Sequence, residues 1–175
     1  ARMGCEWSQV RVLSPRHIKM TINALRTFLL ESNQAGYAGG QEKEWIKEKD
    51  GSTTIEYQQG SFRSDDNFFG GEPYGGRLVV FEEQKPVWLM VYYGWVTEKV
   101  NPDQVYTVLR AALQQMPPDA PFRGPQQLKQ GAYLYTNHWR GTIERYSVHE
   151  QITHNDTLIY QADYMGGLVD QRTGV

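Results

Sequence analysis

The spacing of hydrophobic residues divides the chain into two segments, each a helix followed by strands. Apolar residues recur three or four positions apart over residues 22–30 and again over residues 102–115, which predicts two amphipathic helices. The apolar stripes are Ile22, Leu25, Phe28 and Leu29 in the first helix, and Val105, Leu109, Ala112 and Leu113 in the second. Asn101 is a suitable N-cap for the second helix, Pro102 fits its first position, and Pro117-Pro118 should end it.

After each helix the pattern changes to alternating apolar and polar residues, interrupted by turns that contain glycine. This pattern predicts strands at 53–58, 61–68, 77–84 and 87–96, and then at 126–129, 132–139, 143–151 and 157–165. Gln59-Gly60 and Gln130-Gly131 are short turns of the kind that join antiparallel strands. The predicted fold class is therefore α+β, with two helices packed on a large curved antiparallel sheet.

A sequence repeat relates the two segments. Residues 59–70 (QGSFRSDDNFFG) align without gaps with residues 130–141 (QGAYLYTNHWRG). Two further blocks follow in the same order: Glu83-Gln84 aligns with Glu150-Gln151, and residues 92–96 align with residues 164–168. Coincidence between two aromatic strands is the weaker explanation. We expect an internal duplication of a helix plus an antiparallel meander, over about 20–97 and 101–169, within one domain of residues 20–175.

Residues 1–19 differ from the rest of the chain in charge. They hold four Lys/Arg and one Glu, whereas the remainder holds 14 bases and 19 acids. Residues 4–16 also resemble a peptide translated from the 3′ part of a transfer-RNA gene. We expect this basic leader to be upstream DNA read as protein, with Met20 as the native start. The alternative is a basic arm that contacts a partner.

Composition and motifs exclude several classes of function. The single cysteine, Cys5, excludes an internal disulfide framework and a cysteine-based zinc cluster. The chain has neither a membrane-length apolar run nor a signal-peptide pattern, and its net charge of -2 gives no reason to expect direct nucleic-acid binding. A Walker loop and a nucleophile elbow are absent, and no metal or other cofactor is predicted. We therefore expect a cytoplasmic protein that does not associate with membranes.

Strand alternation places aromatic and acidic side chains on the inward face of the sheet. The sets expected inward include Val79, Phe81 and Glu83 in one strand, and Leu158, Tyr160, Ala162 and Tyr164 in another. Buried carboxylates need partners, so either tyrosine hydroxyls and backbone N–H groups satisfy them or they face a polar cavity. In the second case aromatic walls and one or two acids suit a small cationic or planar ligand. The candidate ligand-binding residues are Asp66, Glu83, Trp88, Tyr92, Tyr135, Asn137, Trp139, Glu150, Tyr160 and Tyr164.

The opposite face of the predicted sheet is apolar in the first half only. Its residues are expected to be Leu78, Val80, Val87, Leu89, Val91 and Tyr93, whereas their second-half counterparts include Arg145, Ser147, Gln161 and Asp163. Something must cover such a face: the leader, the loop at 33–50 or another subunit. We expect a homo-oligomer, of which a homodimer is the simplest form.

Several short blocks resemble a bacterial domain family of unknown function. They include Phe28–Asn33 (FLLESN), Phe69–Glu72 (FGGE), Phe122–Pro125 (FRGP) and Tyr164–Gly167 (YMGG), and the resemblance covers about residues 22–169. Members of that family often follow a phage-repressor-type helix-turn-helix domain, and also occur alone. The resemblance implies small-molecule sensing or a protein-interaction role, and it carries over no catalytic residues. Residues 1–19 are too short to form such a DNA-binding domain.

Three functions remain open from the sequence. The leading hypothesis is a small ligand-binding or sensing domain with an aromatic and acidic pocket. The second is a homo-oligomeric interaction module that uses the apolar sheet face. The third is an enzyme in which an inward glutamate acts as general base, which requires a carboxylate of strongly raised pKa in a cleft.

Overall fold

The computed structural model describes residues 20–36 and 45–169, in which two helices accompany a nine-stranded antiparallel sheet. The helices are α1 (Ile22–Ala35) and α2 (Pro102–Leu113). The strands are β1 (Ile46–Lys47), β2 (Thr53–Gln59), β3 (Phe62–Gly70), β4 (Tyr74–Glu82), β5 (Lys85–Val96), β6 (Gln127–Gln130), β7 (Tyr133–Thr142), β8 (Arg145–His154) and β9 (Thr157–Leu168). This mostly β form of an α+β architecture agrees with the predicted fold class. The basic leader, residues 1–19, lies outside the described residues.

Both helices begin at residues whose side chains cap the first turn. The Thr21 hydroxyl accepts a hydrogen bond from the backbone N–H of Ala24 at 3.1 Å. Asn101 Oδ1 accepts one from the N–H of Asp103 at 3.0 Å, so the N-cap predicted for α2 is confirmed. Caps of this kind satisfy N–H groups that have no partner within the helix.

The helices end at positions that differ from the prediction by a few residues. α2 stops at Leu113, because Gln115 and Met116 donate to carbonyls only three residues earlier and so tighten the chain ahead of the prolines. α1 continues to Ala35, further than the apolar stripe indicated. Asn33 in this extra turn donates from Nδ2 to the carbonyl of Leu113 at 2.9 Å, which joins the ends of the two helices.

The sheet is formed by two meanders that meet at their last strands. Strand order is β1-β2-β3-β4-β5-β9-β8-β7-β6, and every neighbouring pair is antiparallel. The first-half strands therefore occupy one side of the sheet and the second-half strands the other. At the central seam between β5 and β9, Tyr92 lies opposite Tyr164.

The two halves share the positions of their turns and irregularities. Gly60 and Gly131, in the predicted hairpin turns, both have φ of 59°. Positive φ also occurs at Glu83-Gln84, between β4 and β5, and at Asn155-Asp156, between β8 and β9. Each of these last hairpins has a register shift, between Val80 and Phe81 in one and between Ile152 and Thr153 in the other. The internal duplication itself stays a prediction.

These matched turns correct the sequence alignment of one strand. Because Glu83-Gln84 occupies the turn that Asn155-Asp156 occupies in the second half, Glu83 does not correspond to Glu150. Counting back from the turns makes Leu78 the counterpart of Glu150. The expectation that Val79, Phe81 and Glu83 face inward is therefore wrong. Val80 is fully buried in the core, Glu83 is exposed, and the guanidinium of Arg63 lies 4.4 Å from the Phe81 ring.

A bulge in β9 makes a second prediction of side-chain direction wrong. Leu158 was expected inward and Ile159 outward, but Ile159 is 4% exposed and Leu158 only partly buried. Thr153 pairs with Leu158 and Ile152 with Tyr160, so Ile159 is the extra residue that shifts the alternation. Tyr160, Ala162 and Tyr164 are buried as expected.

The main hydrophobic core contains both helical stripes and the inward side chains of the sheet. The Phe28 ring of α1 stacks on Phe62 at 5.2 Å and contacts Tyr57 at 5.6 Å, so α1 contacts β3 and β2. On α2, the stripe from Val105 to Leu113 is buried throughout. In the second half, the Tyr146 ring stacks between Phe122 and Trp88, at 4.3 Å and 5.5 Å.

Membrane crossing by a helix finds no support in the described part of the chain. The two helices have 14 and 12 residues, and neither is long and apolar enough to span a bilayer.

We expect Asn101→Ala to lower the free energy of unfolding by about 1 kcal/mol, because the first turn of α2 loses its capping acceptor. Urea denaturation measures this change. Asn101→Ser is the matched control, since serine keeps an oxygen that can cap, and it should cost less than half as much. Equal losses in the two variants would contradict a capping role.

Candidate functional site

A cavity of about 420 Å³ lies between the two helices and the inward face of the first-half strands. Leu29 of α1 and Leu109 of α2 line one side of the cavity. Phe68, Trp88 and Tyr92 of the sheet line the opposite side. Mainly aromatic and aliphatic walls with a few polar groups are typical of sites for small organic molecules.

Asp66 is the one acidic side chain among the described residues that line the cavity. Its Oδ1 accepts a hydrogen bond from the Tyr92 hydroxyl at 2.5 Å, whereas Oδ2 has no hydrogen-bond partner among the described residues. Burial raises the pKa of the Asp66 carboxyl above its ordinary value, and the Tyr92 hydrogen bond and the charge of Arg123 only partly oppose that effect. The carboxylate is thus costly to keep ionised in the empty cavity.

Arg123 lies where the cavity meets a buried ion pair. Its Nε and Nη2 donate to the two carboxylate oxygens of Glu150 at 3.1 and 2.9 Å, which is the two-point geometry favoured between these groups. Its guanidinium carbon is 4.4 Å from the centre of the Tyr164 ring. Nη1 donates to none of the described residues, and the side chain is 14% exposed, towards the cavity that it lines.

Three tyrosine hydroxyls complete the surroundings of Glu150. Tyr135 donates to its carboxylate at 2.6 Å, Tyr160 at 2.9 Å and Tyr164 at 3.1 Å. The Tyr74 hydroxyl, which lines the cavity, lies 2.8 Å from that of Tyr160 and continues the network. Glu150 is fully buried, so these donors and Arg123 replace the water that an ionised carboxylate would otherwise require.

The cavity occupies the half of the sheet that carries the smaller side chains. By the matched turns, Ser64 of β3 corresponds to Tyr135 of β7, and Leu78 of β4 corresponds to Glu150 of β8. In the second half Tyr135 and Glu150 fill the interior with the polar network. In the first half Ser64 and Leu78 line open space instead. The difference in side-chain volume accounts for a cavity on one side only.

The structure divides the predicted ligand-binding residues into three groups. Asp66, Trp88, Tyr92 and Tyr164 line the cavity together. Tyr135, Glu150 and Tyr160 are fully buried and form the polar network beside it. Glu83, Asn137 and Trp139 do not line the cavity.

The third group lies elsewhere for identifiable reasons. Glu83 is in the exposed β4–β5 turn. Asn137 is buried, but its Nδ2 donates to the carbonyl of Gly124 at 2.8 Å, which holds the segment that carries Arg123. Trp139 and Asn137 instead line a second pocket, of about 490 Å³, together with His138 and Arg140. Since Glu83 is exposed and Glu150 is enclosed by its partners, neither glutamate is placed to act as a general base in the cavity.

Arg123, Tyr74 and Tyr106 are site residues that the sequence analysis missed. The helix residue Tyr106 lines the cavity, and its hydroxyl donates to the carboxylate of Glu72. Arg123 could have been predicted from the sequence. An inward Glu150 requires a cationic partner, and Arg123 is the one base in the apolar segment 120–125.

The outer sheet face carries exposed apolar side chains near the central strands. Phe69, Val91, Tyr93 and Met165 are 51%, 38%, 57% and 58% exposed. Val91 and Tyr93 belong to the predicted apolar face. Leu78 and Val80 were also predicted on this face, but they face inward, because the turn at Glu83-Gln84 fixes the alternation of β4 the other way.

A metal centre has no support in the residues that the structure describes. No group of three or more His, Cys, Asp or Glu side chains is placed there to hold an ion. On the outer face, His149 Nδ1 lies 2.6 Å from Asp163 Oδ1, and both side chains are well exposed.

A protein-family model matches more than half of the chain. The model of the family DUF5680, a domain of unknown function, matches residues 66–169, a span that begins at the acidic residue of the cavity and includes Arg123 and Glu150. No curated protein matches the chain. No solved structure matches it either.

We expect Glu150→Gln to lower the free energy of unfolding by about 3–5 kcal/mol, because the buried Arg123 loses its counter-charge. Urea denaturation at neutral pH measures the loss. Glu56→Gln is the matched control, since the exposed Glu56 makes a long and weak ion pair with Arg63, at 4.0 Å. This variant should change the free energy of unfolding by less than about 0.5 kcal/mol. Similar small effects in both variants would contradict the structural role of the ion pair.

Proposed function

Since the chain belongs to the DUF5680 family of domains of unknown function, we propose its function from its own cavity: it is a small ligand-binding domain for a planar, mainly apolar organic molecule. The observation that carries this proposal is the cavity of about 420 Å³ between the helices and the first-half strands. Its volume falls within the range of small-molecule sites.

The composition of the walls supports a flat ligand. Aromatic rings approach from both sides, Tyr106 from α2 and Phe68, Trp88 and Tyr92 from the sheet. Such rings favour stacked or edge-on contact with another ring. Asp66 and Arg123 supply a few directional polar contacts, which can orient a ligand that the apolar walls hold.

A sensing role is part of the proposal. Its support is the resemblance of the sequence to domains that follow repressor-type helix-turn-helix modules. The cavity also has a structural feature suited to sensing, because both helices line it and Asn33 links their C-terminal ends. A ligand that contacts both helices would favour the arrangement in which they are joined.

We also propose that the two halves arose by duplication and then diverged in function. The shared turns and register shifts support a common origin. Divergence would have placed the Glu150 network in the second half and the smaller Ser64 and Leu78 in the first. The second half would thus stabilise the fold while the first half binds the ligand.

We expect planar aromatic compounds to stabilise the full chain in a thermal-shift screen. A compound present at about 100 times its dissociation constant should add about 2.7 kcal/mol to the free energy of unfolding, or several degrees in melting temperature. Leu78→Trp should reduce the shift, because the larger ring enters the cavity. Val79→Trp is the matched control, since the neighbouring residue of the same strand points to the other face.

Protein-observed NMR of the wild-type chain provides a test that does not depend on a variant. Ligand binding in the cavity should perturb the signals of Leu78, Trp88 and Tyr92. A panel of planar compounds that gives neither thermal shifts nor these perturbations would contradict the proposal. Equal binding by Leu78→Trp and Val79→Trp would place the ligand elsewhere.

A second candidate function is self-association through the outer sheet face. It is favoured by the exposed cluster of Phe69, Val91, Tyr93 and Met165, since exposed apolar patches are common at protein–protein contacts. The proposed partner is a second copy of the chain, as a homodimer or a larger homo-oligomer.

Sedimentation velocity over a range of concentrations tests this second candidate. We expect association that weakens by at least about tenfold in Tyr93→Ser, where a large exposed ring is removed. Tyr133→Ser removes a ring that stacks on His154 outside the patch and serves as the control. A chain that stays monomeric at all concentrations would contradict self-association.

A further inference from the structure

The charges around the cavity specify the class of ligand, an inference that rests on the proposed function. We propose that the cavity binds a monocation, a flat apolar body with one protonated nitrogen placed against Asp66. We further propose that binding releases a proton from Asp66 when the empty site holds one. The ligand class is thus an organic base such as an arylalkylamine or an aryl amidine, whose nitrogen is protonated at neutral pH.

The first argument is the incomplete hydrogen bonding of Asp66. Tyr92 donates to Oδ1 at 2.5 Å, and Oδ2 has no partner among the described residues. A buried carboxylate is stable only when its oxygens are paired. A protonated nitrogen in the cavity would supply both the missing hydrogen bond and a counter-charge.

The second argument is the balance of charge. Arg123 is already neutralised by Glu150, to which it donates through Nε and Nη2. Of the two arginines that line the cavity, Arg123 is the one whose charge acts on the Asp66 carboxyl. When Asp66 is ionised, Asp66, Glu150 and Arg123 together therefore carry one net negative charge. A ligand with a single positive charge neutralises the group, whereas a neutral ligand leaves the charge uncompensated.

An anionic ligand fits less well for the same reasons. The charge of Arg123 is already neutralised by Glu150, so an anion at its remaining N–H groups would add a negative charge without a counter-ion. An anion there would also lie near the Glu150 and Asp66 carboxylates. Arg110 lines the cavity as well, but at the end where its Nη2 contacts the exposed Thr107 hydroxyl at 3.4 Å.

The aromatic walls add an attraction that is specific for positive charge. The rings of Trp88, Tyr74, Tyr92 and Tyr164 line the cavity together with Asp66, and the Tyr92 ring lies 6.1 Å from that of Tyr74 and 5.7 Å from that of Tyr164. Ring faces attract cations, and the attraction grows when water is excluded. Arg123 already uses the Tyr164 ring in this way, with its guanidinium carbon 4.4 Å from the ring centre.

The direction of the pH dependence follows from the raised pKa of Asp66. Between the ordinary pKa of an aspartate and this raised value, the folded protein without ligand holds a proton that the unfolded chain has lost. Stability without ligand therefore falls as pH rises through that window. A cation favours the ionised carboxylate, so its affinity should rise with pH through the same window and then level off.

The other charged or titratable groups that face Asp66 do not titrate in this window. Those lining the cavity are Tyr57 of β2, Tyr74 of β4, Tyr92 of β5, Tyr106 and Arg110 of α2, Tyr164 of β9, and Arg123. Tyrosine hydroxyls ordinarily stay neutral well above this window, burial raises the pKa of the Tyr57, Tyr74, Tyr92 and Tyr164 hydroxyls further, and arginine stays charged. Residues of α1 that line the cavity, Leu29, Ser32 and Asn33, are not titratable.

Three probes of the same shape test the charge preference with the full chain. They are 2-naphthylmethylamine, which is a cation at neutral pH, the uncharged 2-naphthylmethanol, and the 2-naphthoate anion. Calorimetry should show that the amine binds at least about tenfold tighter than the alcohol, and that the anion binds most weakly. Lowering the pH from about 8 to about 4.5 should weaken the binding of the amine and leave the affinity for the alcohol unchanged.

Asp66→Asn tests the residue, because asparagine keeps an oxygen that can accept from Tyr92 but carries no charge. The variant should bind the amine and the alcohol within about twofold of each other and lose the pH dependence. Asp65→Asn is the matched control, since Asp65 is the neighbour that pairs with Arg63 and does not line the cavity. In buffers of different ionisation enthalpy, proton release on binding the amine should disappear in Asp66→Asn only.

The outcomes separate this inference from the proposed function. Equal affinity of the wild-type chain for amine and alcohol, or a preference that survives Asp66→Asn, would overturn the charge assignment while leaving a binding cavity. Tightest binding of the naphthoate would assign Arg123 as an anion site instead. Failure of all three probes, together with a planar panel that causes no NMR perturbation, would overturn both proposals.

Discussion

The buried pair of Glu150 and Arg123 is the interaction on which the surrounding structure depends. A carboxylate with no exposed surface persists in the core only because Arg123 and three tyrosine hydroxyls take the place of water. Strands β7 and β9 and the segment before β6 each supply a partner, so the pair fixes their relative positions. The pair also keeps Arg123 at the wall of the cavity. Without Glu150, its guanidinium would favour contact with water over a buried position.

The contrast between the two halves explains how one fold can contain both a rigid network and an open cavity. At matching positions, Tyr135 and Glu150 fill the second half, whereas Ser64 and Leu78 leave the first half open. Asp66 corresponds to Asn137, whose side chain is uncharged and bonded to the carbonyl of Gly124. The charged residue thus lies on the side with space for a ligand, and its neutral counterpart lies on the filled side.

Much of the fold was predictable because its signals are local. The helical stripes, the Asn101 cap and the two glycine turns depend on residues close in sequence, and the structure has them where they were expected. The errors came from long-range register. The structural counterpart of Glu150 is Leu78, five positions before Glu83, and an error of an odd number of residues exchanges the two faces of a strand. The bulge at Ile159 likewise has no clear signal in the alternation.

The sequence by itself determined the α+β class, the order of the elements, and a set of inward aromatic and acidic residues that includes Asp66, Trp88, Tyr92 and Tyr164. Only the tertiary structure decided which of the acids meets open space. Glu150 is enclosed by Arg123, which lies 27 positions away along the chain, whereas one oxygen of Asp66, beside the cavity, has no hydrogen-bond partner among the described residues. Alternation shows which way a side chain points, but its partners depend on segments that meet only when the sheet and the helices pack together.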